Sequence, residues 1–432
     1  MVNFNEHSQR RTLVNEVHAR PFERLEPPVL MSHVALLTGE GAAGAGLAHM
    51  ADLCARLAVP PPEPGANHFS ADFGAFRCKW EGHAEFVSYS FFVKGGGEDP
   101  FAQTAIAAVP EDWLDGLPGE LLVASHLAFE SAEAHERDRE ALHRLFLAES
   151  LAGSRVSGGA AEVWADFRLH EDGFSRILVR DMGLRARQAG RLTQRLLEVE
   201  TYRTLALLSL PLAREAGPEV TQAAADLSAI TGRMATIEGL EDENATLGEL
   251  TGLAARLERL ASRNTYRFSA SAAYYELVET RVAAMREERI AGMQTIGEFL
   301  DRRMAPAMRT CQTMAVRQER LAERVARTTS LLRTRVELAM EAQNRDLLRS
   351  MDRRARLQLR LQETVEGLSV AAISYYLVGL IGYAAKGAVA AGLPVPVELV
   401  TGLSIPVVVI IVWSALQRVR RRLARDDGAA GP

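Results

Sequence analysis

The chain has 432 residues, three cysteines, and 50 basic against 55 acidic side chains. That length exceeds what one hydrophobic core usually organises, so two or three structural units are expected. Cys54, Cys78 and Cys311 lie far apart with no CxxC pair, which excludes a disulfide scaffold and a zinc knuckle, and the near-balanced charge hides an arginine-rich last third.

Met1 to Arg20 is polar and carries no apolar stretch of the secretory kind, so the soluble part is expected in the cytoplasm. Within it, Asn15–Phe22 (NEVHARPF) sets Glu16, His18 and Arg20 before an X-Pro break. These are side chains able to do acid/base or anion-binding work, or to serve only as a capped helix end. Short alternating runs then read as strands at 33–38, 76–81, 85–93, 120–129 and 176–181, with helices at 47–57 and 134–146 and a proline-rich linker at 59–67. The first 184 residues are therefore an α+β cytoplasmic domain with a mainly antiparallel sheet.

Two motifs in this domain carry candidate chemistry. Gly39–Gly44 is a literal GxGxxG between a strand and a helix, but the following prolines and adjacent strands do not supply the parallel second strand of a dinucleotide fold. It reads as a chance match in an Ala/Gly-rich chain. Glu81, His83 and Glu85 would share a face if the segment were extended, giving a carboxylate, an imidazole and a carboxylate for a divalent cation. The alternative is the solvent face of a hairpin.

Residues 185–366 show helical patterning, interrupted at Ser209–Glu219, near Glu238–Glu243 and at Pro306. Leu321, Val325, Leu332, Val336, Leu347, Leu357 and Leu361 form a loose apolar stripe that suits a coiled-coil-like arm, so this region is expected to be a long α-helical stalk. No Gly or Pro intervenes between Pro306 and Gly367, which predicts one helix running into the next segment.

Residues 367–417 hold two apolar runs, 368–391 and 399–416, matching the roughly 20 residues needed to cross about 30 Å of hydrocarbon. A two-helix transmembrane hairpin is expected. Arg349, Arg353, Arg354, Arg356 and Arg360 precede the first run, while Arg418, Arg420, Arg421, Arg422 and Arg425 follow the second in the basic tail 418–432. The connection carries only Glu398, so the positive-inside bias puts both ends in the cytoplasm of a multi-pass protein. Lys386 is the one charge inside the first run, placed late enough to snorkel. With Gly382, Tyr383 and Gly387 it forms the candidate membrane or pore set.

There is no Ser/His/Asp arrangement, P-loop, HExxH or EF-hand signature, and no basic-aromatic nucleic-acid platform. No enzyme and no nucleic-acid partner are expected. NEVHARPFE with SHVALL, KWEGHAEFVSYSFF and LSVAAISYYLVGLIGYAAKG together resemble the bacterial family of uncharacterised membrane-anchored proteins known as domain of unknown function 3422. That resemblance covers nearly the whole chain, implies a bacterial inner-membrane location and carries no catalytic residues. The order of parts is also similar to CorA-type magnesium channels, which implies a homo-oligomer, although their Gly-Met-Asn signature is missing here.

The leading expectation is thus an oligomeric membrane-anchored protein of CorA-like organisation, serving cation transport or coupling a sensor domain to the bilayer. A tethered scaffold or interaction protein is the alternative, and a nucleotide- or metal-dependent enzyme the weaker one. No cofactor is predicted beyond a divalent cation, and the small-molecule or ion ligand is left open.

Overall fold

The structure, a computed structural model, describes residues 6–16, 21–39, 43–237, 239–391, 394 and 396–427. The chain divides into two units, one of Met1–Ile237 with Ala245–Thr329 and the other of Glu238–Asn244 with Ser330–Pro432.

In the first unit a helix α1 (Arg10–Glu16) precedes β1 (Val29–Leu37), α2 (Ala43–Arg56), β2 (His68–Asp72), β3 (Arg77–Gly82) and β4 (Phe86–Lys94). A 3-10 turn (Ala105–Ala108) and α3 (Glu111–Asp115) lead to β5 (Glu120–Ser131), α4 (Arg139–Leu145), β6 (Ala152–Val156), β7 (Ala161–Ala165) and β8 (Ser175–Asp181). Helices α5 (Ala186–Leu207), α6 (Ser209–Met234) and α7 (Leu240–Met285) follow, then a two-residue strand β9 (Glu288–Arg289) and the start of α8 (Ile296–Ala390). The strands form one sheet in the order β2-β3-β4-β1-β5-β8-β7-β6-β9. Every pairing is antiparallel except β5 with β8. The expected α+β class, mainly antiparallel sheet and long helices are as observed.

Strand alternation sorts side chains onto two faces of this sheet. Val34, Leu36, Cys78, Trp80, Val87, Tyr89 and Phe91 bury one face beneath Met50 and Leu53 of α2 and Trp113 of α3. On the other, Met31, Leu127, Phe129, Ile177 and Val179 meet Leu192, Leu196 and Val199 of α5, together with Met285 of α7 and Phe299 of α8. Further along, buried Val220, Ala223, Leu227 and Ile230 of α6 recur at helical spacing, as do Leu250, Leu253, Leu257 and Leu260 of α7.

The expected helix breaks at Ser209–Glu219 and Pro306 are corrected. Only Leu208 separates α5 from α6. Pro211 falls in the first turn of α6, where its missing N–H has no intrahelical partner to lose. Pro218 and Pro306 lie inside α6 and α8, where buried Ala216 and Val220, and Met304 and Met308, flank them; packing outweighs the local preference there. The reversal between α7 and α8 instead spans 286–295, with Arg286 and Gly292 at positive φ. There Thr295 and Glu298 bond reciprocally as a capping box. Partly buried Glu287 accepts from the backbone N–H of Gly297 and the Ser154 hydroxyl, and the Ser154 oxygen accepts from the Ile296 N–H. The start of a 95-residue helix is thereby satisfied by side chains from two strands' neighbourhoods.

The second unit contains the first turn of α7, the rest of α8 and helix α9 (Val397–Asp427), with Arg335 of α8 ion-paired to Glu243 in that first turn at 2.5 Å. Both α8 and α9 are long and apolar enough to cross a membrane. Ser374, Ala385, Val408 and Val412 are buried within this unit, whereas Tyr375, Tyr376, Leu380, Tyr383, Ile410, Ile411 and Trp413 are exposed. A Cβ built on Gly382 would meet the Thr401 side chain at 3.5 Å, so the small residue marks a close approach of the two helices.

Candidate functional site

Register turns local alternation into a line of polar residues. Lys79 faces Ser90, Ser90 faces His33, His33 faces Ser125, and Ser125 faces Ser175, so five adjacent strands place these side chains in one row. The row lies on the α5 side, and α5 supplies the matching polar groups. Ser175 hydrogen-bonds to Glu200 at 3.0 Å and to Ser125 at 2.6 Å, and the two Glu200 oxygens accept from Arg203.

At the β1–β4–β3 end the row borders a cavity of about 250 Å³ between the sheet and α5. Its walls include Lys79 and Glu81 of β3, Phe86, Ser88, Ser90 and Phe92 of β4, His33 of β1, and Thr193, Leu197 and Thr201 of α5. Three charge pairs lie along it. Glu23 accepts from Ser70 at 2.7 Å and pairs with Arg77; Glu198 accepts from Gln194 at 2.9 Å and pairs with Arg281. Lys79 reaches Glu81 at 3.0 Å, and both side chains are largely buried. Burying these charges is tolerable because each has an opposite partner.

The hydrogen bonds of His33 assign its proton. The Thr201 hydroxyl donates to the Leu197 carbonyl at 2.9 Å, so its oxygen accepts from His33 Nε2 at 3.1 Å. Nδ1 then accepts from Ser90 at 2.8 Å. Both ring nitrogens are satisfied by a neutral imidazole, and burial, with the Lys79 charge adding to it, holds the His33 pKa down to about 3. A second buried imidazole, His126, bonds Ser32 at 2.9 Å and stacks on Phe174. Burial lowers its pKa to about 4 in spite of Asp172.

The N-terminal edge of the cavity depends on one glycine. A Cβ on Gly190 of α5 would stand 1.6 Å from the Glu23 carbonyl oxygen, and the Leu25 N–H bonds the Ala186 carbonyl at 3.2 Å. Gly190→Ala must push the Glu23–Leu25 segment off α5. A loss of about 1–3 kcal/mol is expected, read as a lower thermal midpoint together with new proteolytic cutting around residues 21–28.

The sequence-selected residues divide as follows. Glu81 and His83 line the cavity, with His83 stacked on Phe86 at 4.0 Å. Glu85 does not join them; it is held by Arg267 at 2.7 and 3.2 Å, with the Tyr266 hydroxyl at 3.5 Å. Among the described residues no three His, Cys, Asp or Glu side chains converge where a metal ion could be held. The side chain of Glu16, and His18 and Arg20 entirely, lie outside the described residues. So do residues 40–42 of the glycine motif; β1 before it has antiparallel neighbours on both sides, so no dinucleotide-type βαβ unit follows. Lys386 sits over the Tyr383 ring at 5.9 Å, both exposed, and Gly387 faces open space.

His33, Ser88, Thr193 and Thr201 were not among the candidates from sequence. Lys79 carried a usable signal, being one of three lysines in the chain and alternating inward with Glu81.

Residues 5–423 match the family described as "Protein of unknown function (DUF3422)", and the chain belongs to that family. No curated protein and no solved structure matches it, so the likeness in element order to CorA-type channels gains no support.

Proposed function

We propose that this chain is a membrane-tethered sensor whose sheet domain binds a small polar molecule. The observation that carries the reading is the cavity between β1, β3, β4 and α5, where ionisable and hydroxyl side chains are gathered out of bulk water beside apolar walls. Two helices apolar enough to span a bilayer support the tether, and the arginines on either side of them favour cytoplasmic ends. Cation transport and a multi-subunit pore are not part of the proposal.

Binding is favoured over catalysis on energetic grounds. Ser90 and His33 have the spacing of a nucleophile and its base, but an imidazole with a pKa near 3 accepts a proton poorly at neutral pH. Its other nitrogen meets a neutral threonine in place of a carboxylate, so an imidazolium would gain no partner.

A thermal-shift screen of the full-length, detergent-solubilised protein against a metabolite library tests the reading. At least one small compound is expected to raise the midpoint, and Ser88→Leu, which projects into the cavity, should abolish that shift. A library without a stabiliser, or a shift indifferent to Ser88→Leu, removes the binding site assigned here. For the tether, the intact protein should stay in the membrane pellet through alkaline carbonate and enter solution only with detergent; recovery in the carbonate supernatant refutes it.

A further inference from the structure

We propose that the molecule bound in the cavity is a zwitterion of the α-amino-acid type with an apolar side chain; this rests on the binding role proposed above. The lining charges are not equivalent. Both Glu23 oxygens are engaged, by Ser70 and Arg77, and both Glu198 oxygens are engaged, by Gln194 and Arg281. Those pairs close the rim internally and offer little to a guest.

The inner pair is different. Lys79 meets Glu81 through one carboxylate oxygen at 3.0 Å. An ammonium has three donors and a carboxylate two acceptor oxygens, so each keeps hydrogen-bonding capacity after that contact. A third polar group stands at the same cavity. The Thr193 hydroxyl is 3 % exposed by residue and has no hydrogen-bond partner. Buried polar groups are ordinarily satisfied, so this residue holds hydrogen-bonding capacity in reserve beside the cavity, which a small rotation of its side chain would bring to a guest.

A cation and an anion side by side discriminate by sign at both ends of a ligand. Lys79 would donate to a carboxylate, and the free oxygen of Glu81 would accept from an ammonium on the neighbouring carbon. A ligand of a single charge would bring its ion beside an opposed pair already neutral in sum, gaining attraction from one member and repulsion from the other. Leu25, Phe92 and Leu197 line the same cavity and supply an apolar region for a side chain.

Native mass spectrometry and calorimetry on the full-length protein in detergent, with each proteinogenic L-amino acid as probe, decide the matter. At least one apolar amino acid should bind. Its amide, lacking the carboxylate, and its N-acetyl form, lacking the ammonium, should each bind about tenfold or more weakly, as the loss of a charged hydrogen bond implies. Glu81→Gln should weaken the parent amino acid and leave the N-acetyl form unchanged. The ligand series runs on the unmodified protein, so it stands even where a variant folds poorly. Equal binding of the blocked forms, or an empty amino-acid panel while neutral or singly charged library compounds bind, overturns the zwitterion assignment and leaves the binding role intact. Silence from both panel and library overturns both.

Discussion

Moving from pH 7.5 to pH 5 should cost the sheet unit about 4 kcal/mol of stability, most of it through two imidazoles. His33 and His126 stay neutral in the folded protein, with pKa values of about 3 and about 4, whereas in the unfolded chain each protonates near the ordinary value of about 6.5. The folded pKa is depressed, so unfolding takes up protons below about pH 6.5. The stabilisation is complete above that pH and is lost as pH falls towards the folded values. Each group then contributes roughly 1.4 kcal/mol per pH unit, or about 2 kcal/mol at pH 5. Buried Trp80, Trp113 and Trp164 report on this unit by fluorescence once Trp413 is replaced by Phe. Denaturant titrations at the two pH values give the difference. His33→Gln can keep a donor near Thr201, and His126→Asn an acceptor near Ser32; each should remove about half of the pH dependence. A flat stability profile, or one untouched by both substitutions, contradicts the assignment of neutral buried imidazoles.

The strands legible in the sequence, β1, β3, β4, β5 and β8, are those long enough for alternation and rich in aromatic or β-branched residues. β2, β6 and β7 have five residues each, among them Ala, Gly, Ser and Glu, and β9 has two, so their pairing is decided by the partners. The apolar helices were readable because length and hydropathy alone define them. Proline misled in α6 and α8, where burial on adjacent turns outweighs a missing hydrogen bond. At the site, Glu81 and His83 were found through their own neighbourhood. The walls from β1 and from α5, the latter more than a hundred residues beyond β3, depend on register across separations that leave no local trace. The misplacement of Glu85 has a specific cause: β3 ends at Gly82 and β4 begins at Phe86. The turn between them breaks the two-residue period that would have kept Glu85 on the face of Glu81.

What Glu85 does instead is measurable. Its buried carboxylate receives two hydrogen bonds from Arg267 of α7, so it ties the β3–β4 turn to the helical part of the same unit. Burial, followed by a hydrogen bond to this carboxylate, pushes the Tyr274 phenol upward. Arg267→Met leaves that negative charge buried without its cation, a change that typically costs about 3–5 kcal/mol. Neutralising the survivor should restore much of the loss, so Glu85→Gln with Arg267→Met should be clearly more stable than Arg267→Met alone. Chemical denaturation of the four proteins in the cycle gives the coupling directly. A carboxylate serving a divalent cation behaves differently: added metal would stabilise the Arg267→Met protein and chelator would weaken the parent. Ion pairing requires neither, and additive effects of the two substitutions would show that Glu85 and Arg267 are neighbours without being partners.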